Sequence, residues 1–552
     1  MQSAFFTLVF SIVKVHMKTS TLHLPLLLIT ILFSPFRSQA QSWEGMSVYS
    51  SSNDDHLYKG VKDKDDNTYW LGTFHGEMKI GSTTLRNDDG EICSALFKRG
   101  SDGNIKWVVQ MGIGTLDNRA VASVNLYLNE SKSEILVLGS VARDGKITFT
   151  NAKGADKEIV SNSTDSRFEA YYSTDGELKS VTLYNSSIIK IPWAYVNASS
   201  DIVQTTTVGG EPGLSCGPLN GTQKWETAFK GAIEIGDVYV SEDDRIAVIG
   251  YFDNTIEIGD SIFTHGSKRG VFFTILDKNG KPLISDFLKT AAAGNVQIGL
   301  NGNNVYVAAF FDEFVSRRNK SLMDGDVTPI IHFKISNDGK KLLHRSTILA
   351  RSNEMNFKDI TPYGKHVLMA GRANDFIQST DDEIEQCYGT QDCALAAFDT
   401  TSKKVKFLIG GGTSGASEYF YSALPLSTGK ILLGGVVGSD GDDIVFGGLS
   451  ETGKGGEDMV IASTSITPTN IRENESRASK ITVYPNPATR QLVITSPTEV
   501  EQIKVIDMNG QVVHDAIPLN TSIIDISNLV PGHYIIKAYS ASQVWHSQFV
   551  KN

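Results

Sequence analysis

Two short phrases alternate in fixed register from residue 60 to residue 465, and this period limits the possible folds more than any other feature of the chain. The first phrase is an apolar run ending in a small residue: Tyr69-Trp70-Leu71-Gly72, then runs ending at Gly139, Gly250, Ala309, Gly371 and Gly435. The second is an aromatic-containing run, a tight turn and another run, as in Leu96-Phe97-Lys98, Asp102-Gly103 and Trp107. Its relatives centre on Asp175-Gly176, Asn220-Gly221 with Trp225, Asn279-Gly280, and Asp338-Gly339. Gly72 and Gly103 lie 31 residues apart, while Gly250 to Gly280 and Ala309 to Gly339 both span 30.

Asp-Gly and Asn-Gly pairs supply the positive φ angles that close two-residue hairpins. Each unit therefore reads as about four short strands over roughly 60 residues, a period that signals a propeller or a solenoid. A weak copy at Val203–Thr207, running into Gly209-Gly210, fills the wide gap between Gly139 and Gly250 and makes seven units. The last unit stops at Asp458–Ala462, where an outer strand should follow. Gln41-Ser42-Trp43-Glu44-Gly45 resembles the outer strands around Trp107 and Trp225, so the N-terminal segment is expected to complete the last unit. The fold expected for 41–462 is an all-β, seven-bladed β-propeller closed by its own N-terminus, a device that removes open sheet edges. An open β-solenoid is the alternative, although its repeats are normally shorter and its ends capped.

The first 40 residues read as an export signal. Met17-Lys18 forms a basic start, Leu24–Ile29 an apolar stretch, and Ser38-Gln39-Ala40 a small-residue site for cleavage between Ala40 and Gln41. Met17 fits as the initiator. Neither apolar run reaches the roughly 18–20 residues needed to span a bilayer, and no later segment does. Lys and Arg number 51 against 62 Asp and Glu, a net charge of −11, which argues against nucleic acid and anionic membranes as partners. Four cysteines in 552 residues are too few for a disulfide scaffold.

Ser463–Lys480 is polar and reads as a linker. Beyond it, Tyr484-Pro485-Asn486-Pro487-Ala488, the Asn509-Gly510 turn, Leu529, Gly532, Tyr534 and a Val550-Lys551-Asn552 end punctuate six or seven strands at short spacing. That pattern predicts a small immunoglobulin-like β-sandwich over 481–552. These residues resemble the type A C-terminal sorting domain of the type IX secretion system of Bacteroidetes. The resemblance implies Sec-dependent passage into the periplasm, recognition of 481–552 by the outer-membrane machinery, and a secreted or surface-attached product. Asn552 stands where that family more usually ends in Lys or Arg. The repeats are also similar to propeller repeats of exported Bacteroidetes proteins, best at Asp65–Gly72.

No catalytic motif, metal motif or cofactor fingerprint emerges. Asp63-x-Asp65-x-Asn67 opens like a calcium loop, but Thr68 and Phe74 stand where Gly and an acidic residue are required, so a hairpin turn is the better account. His332, inside an apolar run, reads as a core histidine. Cys387 and Cys393 are spaced to allow a local disulfide, whereas Cys93 and Cys216, in different units, are each expected to be free and buried. The function expected is binding of a glycan or protein ligand at a propeller end or channel. The rival is a polysaccharide- or peptide-degrading enzyme on the same scaffold, recognisable by clustered carboxylates or by His, Arg and Tyr together.

Overall fold

The computed structural model describes 42–466 and 482–552, apart from 88–91, 114–120, 142–144, 162–165, 185–191, 197–200, 219–221, 289–292, 312–326, 352–354, 374–375, 380–383, 387–391, 403, 414–417, 439–440, 485, 487, 496–501, 508–511, 517–522 and 540–543. The export signal, with Ala40 and Gln41, therefore lies outside the described residues, as do Cys387, Pro485, Pro487 and Gly510. The chain divides into two compact units, Met1–Ile466 and Thr467–Asn552. Among the described residues no helix is long and apolar enough to cross a membrane.

The described part of the larger unit contains seven antiparallel sheets of four or six strands, besides two small hairpins. In sheet one the strands follow chain order: His56–Lys62, Thr68–His75, Ile92–Arg99 and Ile105–Ile113. Sheets two to six repeat that order, beginning with Val121–Asn129, Pro192–Val196, Lys230–Val240, Ala293–Asn301 and Met355–Tyr363. Sheet seven begins with Tyr419–Pro425, and its fourth strand is Trp43–Tyr49 from the other end of the chain. The register is antiparallel, from Trp43 opposite Thr464 to Tyr49 opposite Met459. The third strand of this sheet runs on to Ser465, because Ser463 and Thr464 pair with Gly45 and Trp43; the β structure thus takes in three residues read from the sequence as linker.

Each first strand touches the first strand of the next sheet, and Tyr419–Pro425 touches His56–Lys62, so the contacts form a closed cycle. The core lies between neighbouring sheets. One cluster, for example, joins Leu395 and Ile409 of sheet six to Leu433 and Val460 of sheet seven.

The small residues that mark the period have a specific cause. Every first strand carries an irregularity of register, and in most sheets it is a single-residue β-bulge. The bulges fall between Leu57 and Lys59, Ile235 and Asp237, Phe357 and Asp359, and Phe420 and Ser422. Opposite them stand Gly72, Gly250, Gly371 and Gly435. A Cβ there would lie 2.5, 2.3, 2.2 and 1.9 Å from a first-strand carbonyl oxygen, closer than any side chain tolerates. In sheet three the weak copy has buried Gln204 in this place, paired with Pro192 at the start of the bulge.

The turn glycines do a second job. Gly280 has φ +77, and the Trp225 indole of sheet three lies over it, 2.3 Å from where a Cβ would be, while Trp225 Nε1 donates to Lys278 O at 2.9 Å. Trp107 repeats the clasp on Gly176 and Thr174 O. The recurrence of Trp with a turn glycine is therefore a contact between adjacent sheets. Trp43 departs from this use. It points inward, packs edge-on against Phe446 at 4.9 Å and donates to Gly410 O at 3.0 Å.

The smaller unit has a three-stranded sheet (Thr482–Tyr484, Gln491–Thr495, Ile523–Asp525) and a four-stranded one in the order Val512–Ala516, Gln502–Asp507, Gly532–Tyr539, Val544–Lys551. The two share a core that includes Leu492, Ile494, Val505, Ile524, Ile536 and Phe549.

Candidate functional site

Residues around the bulges converge on the middle of the cycle. Asp237 Oδ2 accepts the Ile298 amide of sheet five at 2.9 Å, Asp359 Oδ2 accepts the Ala423 amide of sheet seven at 2.7 Å, and Ser422 Oγ accepts the Gly60 amide of sheet one at 3.0 Å. Each is the residue just past a bulge, latched to the first strand of the next sheet. These three latches lie at the level of the bulges.

At the same bulges, sheets six, seven and one present an aromatic and cationic strip. Tyr419 and Tyr421 stack with centroids 5.8 Å apart, and Tyr421 meets Tyr58 of sheet one at 6.1 Å. The Arg372 guanidinium lies 4.5 Å from the centroid of the Tyr419 ring and Lys358 Nζ lies 5.0 Å from it. At the other end His56 Nδ1 is 3.0 Å from the Tyr58 hydroxyl, and His56 Nε2 pairs with Glu457. All six side chains of the strip are partly exposed. Burial pushes the Tyr421 phenol up to about 12, so it remains protonated. Burial and the adjacent Arg372 lower the pKa of Lys358.

Strand alternation fixes which end of the cycle this is. First strands start at the strip and run to tight turns such as Asp63–Asn67; third strands run to the Gly103, Gly176 and Gly280 turns. The connections between second and third strands return to the end bearing the strip, and these are the long ones, carrying hairpins at Glu77–Arg86, Gly145–Ser161 and Asp443–Thr452. Function-bearing loops favour such a face.

Just beneath the strip are buried acids. Asp55 accepts hydrogen bonds from Ser51 and from the His75 amide, and burial raises its pKa to about 7, with Asp458 adding to the rise. Glu418 accepts the Thr413 amide at 2.7 Å, and burial, reinforced by Asp392, raises it to about 8. The Thr413 hydroxyl lies 2.5 Å from both Glu418 Oε1 and Gly438 O. The hydroxyl proton is thus shared between two acceptors, Glu418 Oε1 and Gly438 O. Asp237 is likewise raised, to about 6, chiefly by desolvation.

A folded-state pKa above the unfolded value near 4 gives stability that is full below that value and lost as pH rises through the folded pKa. Asp237, Asp55 and Glu418 therefore weaken the fold successively between about pH 5 and pH 8. His366, lowered by burial, acts in the opposite sense, one group against three. Thermal melts should show a higher midpoint near pH 5.5 than near pH 8.5, and Glu418→Gln should reduce the difference by stabilising the alkaline form. A flat profile, or one unchanged in that variant, would contradict this account.

Other sequence expectations find their places. The Asp63 carboxylate is occupied by its own turn, accepting from the Asp65 and Asn67 amides and from the Tyr69 hydroxyl at 2.9–3.0 Å, which is the hairpin reading of that segment. His332 is buried, stacked on Tyr306 at 5.0 Å, with Nε2 3.0 Å from Asn304 Oδ1. Cys93, Cys216 and Cys393 are buried reduced thiols. Cys387, the partner allowed for Cys393, lies outside the described residues; Cys393 itself is interior to its strand, its Sγ 3.6 Å from Val436 O of sheet seven.

The C-terminal motif residues form a seam. Asn486 Oδ1 accepts the Val550 amide at 2.9 Å, the Ala488 amide donates to Val550 O at 2.8 Å, and the Asn552 amide donates to Ala488 O at 2.9 Å. Tyr534, stacked on Phe549 at 5.4 Å, donates its hydroxyl to Val530 O at 2.8 Å. Leu529 packs on the same core, Gly532 pairs with Lys551, and Tyr484 ends the first strand. Asn486→Ala should lower the midpoint of this unit in a melt by loosening the Val550 edge.

Residues 482–552 match the family of secretion system C-terminal sorting domains. The chain is cargo for export by the type IX route. Its destination is the cell surface or the surrounding medium. Comparison with curated proteins gives no match. Among solved structures the chain is similar to a prolyl endopeptidase (11% identity, 88% of this chain and 55% of that one, TM-score 0.39). It therefore spans about half the length of that enzyme chain. It is also similar to Drosophila Plexin A in complex with Semaphorin 1b (7%, 77% and 88%, TM-score 0.35) and to the Dos1 propeller (9%, 76% and 95%, TM-score 0.36).

The strip was not legible as a site, because its residues come from strands more than 300 positions apart in the sequence. One signal was present: Tyr58 and Tyr421 each precede their glycine marker, Gly72 and Gly435, by 14 residues.

Proposed function

We propose that the seven sheets are the blades of a seven-bladed β-propeller, that a sandwich of immunoglobulin type at 481–552 directs its export from a Bacteroidetes cell, and that the exported propeller is a binding protein whose ligand enters at the strip-bearing mouth. The closed cycle of first strands supports the architecture. The observation that carries the function is the convergence of Tyr58, Tyr419, Tyr421, Lys358 and Arg372 at one end of the channel, on the face with the long connections. Aromatic faces and cations in one place are characteristic of recognition surfaces.

An enzyme is the second reading, favoured by His56, Tyr58 and Arg372 lying along the same strip. Against it, both His56 ring nitrogens are engaged, by Tyr58 and Glu457, and the Tyr421 phenol is held protonated.

A glycan and peptide array probed with the full mature chain and with Tyr421→Ala tests the binding reading. Signals lost in the variant are expected; signals unchanged by it would move binding elsewhere. Incubation of any bound glycan with the chain, followed by sizing, separates binding from cleavage. A chain ending at Lys480 should accumulate in the periplasm, and its normal display at the surface would refute the role given to 481–552.

A further inference from the structure

The four-stranded sheet of the smaller unit breaks the alternation expected of a sandwich. One face of such a sheet packs on the core and the other meets water, so apolar and polar residues should alternate along each strand. Gln502-Ile503-Lys504-Val505 obeys the rule, with Ile503 and Val505 buried. Ile506 then follows Val505, Ile535 stands beside buried Ile536, and Val512 and Val513 share the edge strand. These breaks fall at one register. Ile506 pairs with Val512 on one side and with Ile535 on the other, so three apolar residues form a row across three strands on the face turned from the core. Val512 is 51% exposed, and Ile506 and Ile535 are half-buried. The next row on that face is charged: Asp515, Lys504 and Lys537. An apolar row bordered by a polar one has the layout of a docking surface.

The two edges of this sheet are treated differently. Val544–Lys551 is covered by Ala488, which bonds to Val550 and Asn552. Val512–Ala516 pairs only with Gln502–Asp507 among the described residues, and Val513 is an extra residue opposite the step from Val505 to Ile506. Such a bulge blunts an edge against pairing with a further strand, which disfavours a second copy of the chain as the partner. Side-chain contact with a different protein remains. The family match supplies that protein, because a sorting domain interacts with the secretion machinery.

We propose that the outer-membrane export machinery docks on this outer face, laying an apolar surface of its own on the row Val512, Ile506 and Ile535. This rests on the export role given to 481–552, and it goes further in naming the face.

Fractionation of cells producing the full chain with Val512→Glu, or with Ile506→Thr and Ile535→Thr together, tests it. Both variants should reach the surface at about one-tenth of the parent amount and build up in the periplasm, as when residues are lost from the centre of an interface. Val512→Ile should restore display. Val160→Glu, which changes an exposed apolar residue of the larger unit, should leave it normal. Thermal melts of the purified variants should match the parent; Val512→Glu alters an exposed side chain and keeps the test decisive if the threonine pair fails to fold. Normal display of Val512→Glu would overturn the assignment of this face; if the chain ending at Lys480 were still held in the periplasm, the export role would stand. An equal loss in Val160→Glu would overturn it as a general effect of added charge. Dimers of the full chain that dissociate in Val512→Glu would overturn it in favour of a second copy.

Discussion

A chain from which Gln41–Tyr49 has been removed will fail to give a cooperatively melting larger unit, although it loses only one strand. The loss exposes the whole edge of Glu457–Ser465 and uncovers the cluster that Trp43 seals with Phe420, Phe446 and Val460. It also removes the clasp between chain ends, including Ser463 Oγ to Gly45 O at 3.3 Å and Thr464 Oγ1 to Ser42 O at 2.8 Å. Differential scanning calorimetry should show a broad, low transition, and limited proteolysis should cut within sheet seven. Trp43→Ala is the graded form of the same experiment. Truncating a buried aromatic costs about 3–5 kcal/mol, and here the indole hydrogen bond to Gly410 O goes too. A sharp melt within a few degrees of the parent would mean that closure by this strand contributes little.

Gly435→Ala should be nearly as damaging, for a different reason. The backbone there is not in a left-handed conformation; the obstacle is the Tyr419 carbonyl oxygen, 1.9 Å from the added methyl. Because that oxygen is backbone, held by the bulge between Phe420 and Ser422, relief requires shifting the first strand of sheet seven. The expected destabilisation is about 3 kcal/mol or more, at the upper end for overpacking. Gly448→Ala, with open space around its Cβ position, should change the denaturation midpoint little and serves as the control. If the two variants melt alike, the bulge does not set the spacing. Since Tyr421 is the extra residue of this bulge and Tyr419 lies just before it, Gly435→Ala should also weaken any ligand that reads the strip.

The period was legible because strand, turn and strand are local events: an Asp-Gly turn and an apolar run betray themselves within ten residues. The N-terminal closing strand was legible for the same reason, since the segment around Trp43 resembles those around Trp107 and Trp225. Resemblance did not extend to use, because Trp43 turns inward where the other two reach over a neighbouring turn. The small-residue markers were visible, whereas their cause, a carbonyl pushed toward them by the partner strand, is a property of two strands at once. The strip at the mouth has no local sequence signature, since Lys358 and Arg372 come to Tyr419 through sheet packing alone.

Closure by the N-terminal strand also sets an order of events. Trp43–Tyr49 precedes its partner by more than 400 residues, so the first strand of the larger unit to be delivered is the last to be satisfied. Until Glu457–Ser465 arrives, two complementary edges, one carrying Val48 and the other Val460 and Ile461, wait unpaired at opposite ends of an incomplete ring. Contacts this remote in sequence form slowly, and unpaired strand edges invite association with other chains. The completed clasp therefore works as a checkpoint in time: only a chain delivered in full, up to the threshold of its sorting unit, can hide both edges at once.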